Sequence, residues 1–514
     1  MSVRNGIVLF LALSSLLFLF GCGSSSPSAV APPSGGFSNS NLNGTYTFST
    51  IGLDSSGGFF AVAGSFSANG SGGITGGALD VNDQAVGADS PNLTIASSSS
   101  YSITADGRGS ASLNVSGGTI GLDFVLTSSS HGLVTRFDGG GSGSGTLDLQ
   151  GTVGLAGPYT FSLAGADASG NPEVAVGTFT VSGSTISGVA DVNDAASFEY
   201  LNQALSGSIT LGSGTAPGTA TLTAGPLTFN FDVYSVDSTH LKFVETDTAQ
   251  ILAGDAFTQQ TLIPSGQLVF TAAGLDSSGD PSATGGYMTS DGVSMITNGL
   301  QDVNDAGSVS PAQLTFSGSF TAVSGGRSVF TLNTFYNDGI SSTFTFAAYP
   351  SSGGIQLLEI DGDGITAGTA FAQSSTSFAA PAGYGFNVSG SNSGGFEEDD
   401  IAEFTASGGN LSGIFDENDE GTFKANQTLT SSTYSVDSTN SGRGELVLET
   451  SNDTVSGVFY VVSSSNALFL EADSDQVGIG SLGTQGSPTQ AAIMLSHFAN
   501  VHPKGAARAA WRHK

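Results

Sequence analysis

Four short acidic clusters carry most of the chemistry this chain could do. Asp80-Val81-Asn82-Asp83, Asp191-Val192-Asn193-Asp194 and Asp302-Val303-Asn304-Asp305 share one pattern, and Asp416-Glu417-Asn418-Asp419 is a drifted fourth copy. Carboxylate and amide oxygens are the hard ligands that Ca²⁺ takes, so each cluster is a candidate metal site. Calcium uses about six to eight oxygens, more than four adjacent residues supply, so partners would be needed. The pairs Glu245/Asp247, Glu359/Asp361 and Glu471/Asp473 are the candidates; the first copy has Arg136 and Asp138 instead. The plainer reading is a corner, because Asn and Asp tolerate left-handed backbone and bond their own main chain. On sequence the corner is the preferred reading and calcium the second.

Other reactive constellations are scarce. His497, His502 and His513 lie near the C-terminus, while His131 and His240 are isolated. No HExxH, GxSxG or Walker loop is present. Paired carboxylates suit the acid and base of a glycosidase. Here, however, they recur in every copy, which argues for structure. The expectation is therefore no catalytic residue and no required cofactor.

The elements that position the clusters come from a repeat. The clusters recur at intervals of 111, 111 and 114 residues. Other landmarks keep the same phase. Each copy opens on an alternating pair (Tyr46/Phe48, Tyr159/Phe161, Leu268/Phe270, Tyr384/Phe386) and closes on Gln150, Gln259, Gln373 or Gln485. Landmarks that hold phase throughout a copy imply one duplicated unit. The units fall at 41–150, 151–260, 261–374 and 375–486. Within the first, strands are predicted over 44–51, 59–68, 73–81, 93–104, 109–115, 120–127, 132–137 and 145–149, separated by Gly, Asn, Asp and Ser turns. The fold class is all-β: four tandem antiparallel domains, each predicted to close as an eight-stranded up-and-down barrel, which removes exposed edges. A β-sandwich per repeat and an eight-bladed propeller are the alternatives. The Gly-x-aromatic opening strand loosely resembles avidin- and lipocalin-type barrels, a likeness of fold that transfers no ligand.

In such a barrel the acidic clusters end strand three and the Glu-x-Asp pairs end strand seven. Both share a rim with the Gly52–Gly58 turn that holds Asp54. Strands three and seven are opposed, of order 12–15 Å apart, so one barrel cannot bring the two groups onto one ion. That rim (Asp54, Glu245, Asp247, Glu359, Asp361, Glu471, Asp473) is the expected binding face. The other rim carries Arg108 and Arg443, and the barrel interior is expected to be filled.

Composition narrows the partners. The 514 residues include 43 acidic against 11 basic, and the formal net charge is −32. Such a surface repels phosphate backbones, so nucleic acid is excluded as a partner. Hydrophobic residues at 38%, with 34 Phe, give enough apolar material for cores.

The first residues, MSVRNGIVLFLALSSLLFLFGC, place positive Arg4 before an apolar run, Ile7 to Phe20. The run is short for a membrane span, which needs about 20 residues. Leu19-Phe20-Gly21-Cys22 resembles the lipobox of bacterial lipoproteins. That resemblance implies removal of residues 1–21, diacylglycerol and an N-acyl chain on Cys22, and a membrane anchor. Gly23 after the cysteine resembles outer-membrane sorting. A plain secretory signal with an unmodified cysteine is the other reading. Residues 22–40 read as a Ser/Pro/Gly tether, and 487–514 as a basic, disordered tail. The functional expectation is an exported, lipid-anchored module of the cell envelope, non-catalytic, acting on an envelope or extracellular ligand. A Ca²⁺-stabilised adhesin-like array and an enzyme acting on cell-surface glycans are the alternatives.

Overall fold

A computed structural model describes residues 36–84, 88–194, 198–247, 250–310, 313–335, 341–439 and 441–486. The leader with Cys22, most of the tether and the tail at 487–514 lie outside the described residues.

Alternating apolar and small residues between tight turns build antiparallel strands throughout. The second repeat is the clearest case. Its strands are Tyr159–Ala166, Pro172–Ser182, Thr185–Asp194, Phe198–Thr210, Gly218–Ala224, Leu227–Ser235, His240–Glu245 and Ile251–Thr258. Each pairs with the next, and the last pairs back onto the first, from Tyr159 opposite Thr258 to Ala166 opposite Ile251. The result is a closed up-and-down barrel. The third repeat (Gly266–Leu275 through Ile365–Ala372) and the fourth (Ala382–Asn392 through Gln476–Thr484) wind the same way. In the first repeat the fourth strand is split into Ala88–Ile95 and Ser100–Ile103. That barrel closes through a narrow bridge, Gly73 to Ser100, with Ile74 N–H donating to Ser99 O at 3.1 Å.

One glycine recurs where each barrel shuts. A Cβ at Gly145, Gly254, Gly368 or Gly480 would meet a main-chain oxygen of the first strand at 1.8, 2.0, 2.1 and 2.1 Å respectively. No other residue tolerates that approach.

Both faces of the closing strands are buried, for different reasons. Inward residues fill the barrels: Tyr159, Phe161, Phe179, Phe229, Phe231 and Phe243 pack together inside the second. Outward residues meet the next repeat. Ile51, Phe59 and Ala61 of the first barrel pack on Tyr234, Val244 and Ile251 of the second. Val174 and Val176 of the second meet Tyr349, Leu358 and Ile365 of the third. Val269 and Phe371 of the third meet Tyr460, Leu468 and Ile479 of the fourth. Finally, Ile401 of the fourth packs on Val125 and Leu133 of the first. The four barrels therefore close into a ring. Each buried Val, Leu or Ile contributes about 1.5–3 kcal/mol, so the sparse fourth-to-first junction leans on polar contacts instead.

Candidate functional site

The acidic clusters lie at these junctions. Each occupies the end of the third strand, as expected, but its first Asp and its Asn are buried and reach into the following barrel. Asn82 donates through Nδ2 to the carbonyls of Glu245 and Asp247 at 2.8 and 3.1 Å. Asn193 donates to Glu359 O and Gly364 O, both at 3.0 Å. Asn304 donates to the carbonyls of Glu471, Asp473 and Gln476 at 3.0, 3.0 and 2.9 Å. Asn418 completes the circle, donating to Arg136 O at 2.6 Å and Gly141 O at 2.9 Å in the first barrel.

The leading Asp makes the charged half of the same latch. Asp191 takes Arg327 in a two-point grip, Nε at 2.6 Å and Nη2 at 2.9 Å, and also the Tyr349 hydroxyl and Asn202 N–H. Asp302 is gripped by Arg443 at 2.9 and 3.0 Å and by Tyr460. Such planar pairs fix orientation as well as energy. Asp80 has the Tyr234 hydroxyl and the Asn92 N–H, because Pro217 stands where the other repeats carry the arginine. Asp416 has Arg108 at 3.3 Å and the Asn426 N–H, because Val125 replaces the tyrosine. Burial raises the carboxyls of Asp80 and Asp416, and these donors offset part of the rise. Asn92, Asn202 and Asn426 hold left-handed backbone (φ 55, 51 and 58°) in a bulge opposite the Asp. The closing glutamines follow the same rule. Gln150 donates to Ser235 O at 3.0 Å, Gln373 to Val461 O at 2.6 Å, and Gln485 to Asp106 O in the first barrel at 2.6 Å.

This arrangement extends the sequence reading in two respects. The clusters are more than corners, since each ties one barrel to the next. They do meet the Glu-x-Asp segments, across a junction and through main-chain carbonyls, although within a barrel the two stay on opposed strands. Arg108 and Arg443 open their strands on the rim opposite their own barrel's cluster, as expected, and reach the aspartate of the neighbouring barrel. The carboxylates of Asp80, Asp191, Asp302 and Asp416 are thus occupied by protein donors.

The remaining expected residues divide. Asp54 caps its own turn, accepting from Ser56 N–H at 2.7 Å and Gly58 N–H at 2.8 Å. Asp361 and Asp473 brace the sixth strand, accepting from Thr345 N–H at 2.7 Å and Ser456 N–H at 2.9 Å. Asp247 accepts from Asn230 Nδ2 at 3.3 Å. Asp419 accepts from Asn392 Nδ2 at 2.9 Å, and Asp83 and Asp194 end their strands. None of these presents a bare binding rim. Glu245, Glu359 and Glu471 are buried. Burial pushes the Glu359 carboxyl up to about 8, and burial with nearby Asp247 and Glu173 holds Glu245 well above the carboxylate range.

The third barrel is not filled. A cavity of about 420 Å³ opens in its interior, with Phe270, Met288, Leu332, Phe344 and Leu357 on its apolar wall. Asp276, Asp305, Glu359 and Asp363 line its polar side. The space comes from small residues. Ala272 stands where the second barrel has Leu163, and Leu357 where it has Phe243.

Sequence spacing also missed a buried charge network at the first junction. Lys242, 1% exposed, lies 3.3 Å from Asp148 and 3.2 Å from Asp255, and donates to Thr146 Oγ1 at 2.6 Å. His131 Nδ1 is 2.7 Å from Asp148, and His240 Nε2 is 2.6 Å from Asp255. The two histidines are therefore not isolated. Burial alone would raise both aspartates, but Lys242 and the paired histidine hold Asp148 well below the carboxylate range and lower Asp255 as well. Burial would lower the Lys242 ammonium, yet the two carboxylates hold it above its ordinary value, so it stays cationic and cannot serve as a base.

No protein-family model matches the chain, and no curated protein does. Among solved structures, intact Ap-TbpB with N and C lobes aligns over 71% of this chain and 86% of its own at 9% identity and a TM-score of 0.17. A double mutant of the vaccine antigen Transferrin Binding Protein B from Haemophilus parasuis Hp5 aligns over 73% and 82% at 10% identity and a TM-score of 0.16. CghA with Sch210972 aligns over 64% and 87% at 10% identity and a TM-score of 0.17. Scores this low carry no argument about fold or function.

Proposed function

We propose that the chain is a lipid-anchored, non-catalytic binding protein of the bacterial cell envelope whose ligand enters the third barrel. The cavity carries this reading. Its volume lies in the range of small-molecule sites, about 300–1,000 Å³, and it joins an apolar wall to a few convergent polar groups. Four acidic side chains beside that wall suit an apolar molecule with a cationic or hydrogen-bond-donating head. An anionic amphiphile would be repelled. The other barrels act as frame, with the second packed full of aromatics. Anchoring rests on the Cys22 motif alone. The test is titration with N-phenyl-1-naphthylamine, an apolar amine probe. Fluorescence should rise saturably with the native chain and should fall at least tenfold in apparent affinity with Ala272→Phe, which fills the lumen. Unchanged binding in a folded Ala272→Phe protein would refute the assignment.

A further inference from the structure

The fourth barrel departs from the others at one inward-facing pair. Opposite residues on the second and third strands are Val62/Val81, Ala175/Val192 and Thr284/Val303 in the first three repeats. In the fourth they are Asp400/Glu417. The Val62/Val81 and Ala175/Val192 pairs pack in barrel cores, so the substitution puts two carboxyls where the fold otherwise buries apolar groups. Glu398 precedes Asp400 by two residues and shares its face. Oxygens of Glu398, Glu417 and Asp453 lie within 4.8 Å of one another.

A second observation is independent of that clustering. Asp400 is fully buried (0% exposed), yet neither of its carboxylate oxygens has a hydrogen-bond partner. Oε2 of the buried Glu471 also lacks one. Leaving a buried charge without a partner is costly, and native proteins pair such groups or use them to coordinate metals. The local cation is Lys424, 2.5 Å from Glu417 Oε1, with a side chain 44% exposed. One half-exposed ammonium does not balance five carboxyls.

We propose that this end of the fourth barrel binds one divalent hard cation of the calcium class, held by Glu398, Asp400, Glu417 and Asp453. Oxygens at about 2.3–2.6 Å from an ion stand at most about 4.6–5.2 Å apart, so Glu398, Glu417 and Asp453 fit one coordination shell, and the proposal adds Asp400, the unpartnered carboxyl paired with Glu417 across the strands. The ligands are all oxygen, which disfavours soft metals. Glu471 supplies further negative charge beside the shell, and Lys424 is the internal counter-ion that the metal displaces. The site is separate from the third-barrel cavity; Glu417 belongs to the fourth cluster, but the latch residues Asp416 and Asn418 are not among the ligands.

Isothermal titration of the EDTA-treated full chain with CaCl₂ tests the proposal. One site per chain is expected. Asp400→Asn with Glu417→Gln should weaken it at least tenfold, and so should Asp453→Asn alone, which alters a turn and spares the core. Asp291→Asn, in an exposed loop, should leave it unchanged. Far-UV circular dichroism identifies variants that have folded. Absence of stoichiometric binding by the native chain would overturn the proposal. So would equal affinity in a folded Asp453→Asn protein.

Discussion

Replacing Asn193 by Asp separates a junction latch from a turn. Asn193 is fully buried and donates two hydrogen bonds, each 3.0 Å, to carbonyls of the next barrel. The substitution conserves shape but removes the donor and puts a carboxylate oxygen against two carbonyl oxygens. A buried acceptor left without its donor costs about 1–3 kcal/mol, so two orphaned carbonyls cost roughly 2–6 kcal/mol. The introduced charge adds to this or forces the new carboxyl to stay protonated. In a corner the exchange would be nearly neutral, because Asp serves a turn as well as Asn. The assay is urea denaturation of the full chain followed by far-UV circular dichroism, with Asn69→Asp as control, an exposed turn residue whose side-chain oxygen accepts from Ser71 N–H and Gly73 N–H. The Asn193 variant is expected to lose about 2–6 kcal/mol and the control less than about 0.5 kcal/mol. A loss below about 0.5 kcal/mol for Asn193→Asp would refute the latch.

Three further outcomes are expected. Stability should fall from pH 5.5 to pH 8.5. Burial raises Glu173 and Glu359 to about 8 and Asp123 to about 7, so the folded state keeps protons that the unfolded chain has already lost. Their contribution is complete below the ordinary carboxylate value and is lost as pH rises through 7 to 8, at about 1.4 kcal/mol per pH unit for each excess proton. Asp148 and Asp255 act with the opposite sign, but only at acid pH, because their contribution is lost as pH falls below the ordinary carboxylate range. A melting temperature that rises over the same interval would contradict the burial of these groups. Lys242→Met strands two buried aspartates and should cost about 3–5 kcal/mol in the same urea assay, where a loss under about 1 kcal/mol would contradict the network. Cys22→Ser should abolish palmitate labelling and membrane retention in a bacterial host, and persistent retention would contradict the anchor.

Much of the fold is legible in the sequence. Alternation fixes the strands, turn residues fix their ends, and phase-locked landmarks fix the repeat. In the first repeat the predicted 59–68 is observed as Phe59–Asn69 and the predicted 109–115 as Arg108–Val115. The predicted fourth strand, 93–104, is broken after Ile95, where the chain bends to close the barrel. The latch is not legible within one repeat, because its acceptors belong to the neighbouring barrel. A signal was present. Asn82, Asn193, Asn304 and Asn418 never vary, although a corner would accept Asp or Gly, and a fixed Gln closes every copy without local work to do. An identity that local structure does not require points to a partner outside the repeat. The Lys242 network left no such trace, because Asp148 and Asp255 occupy different places in their repeats. The acidic pair Asp400/Glu417 is visible once the strands are in register, as charge in an apolar slot. The cavity is not, since it depends on which small residues face one another across the barrel.

The closed ring is the central claim, and one cross-link tests it most directly. Phe137 of the first repeat and Phe423 of the fourth pack with ring centroids 5.0 Å apart, and Phe423 is 49% exposed. With Cys22 replaced by Ser, cysteines at 137 and 423 should be joined within one chain by a short bismaleimide. After cleavage at a protease site engineered between the second and third repeats, the two halves should then stay covalently linked. Halves that separate, or links that form only between chains, would mean that the four barrels are strung in a row and the ring does not exist.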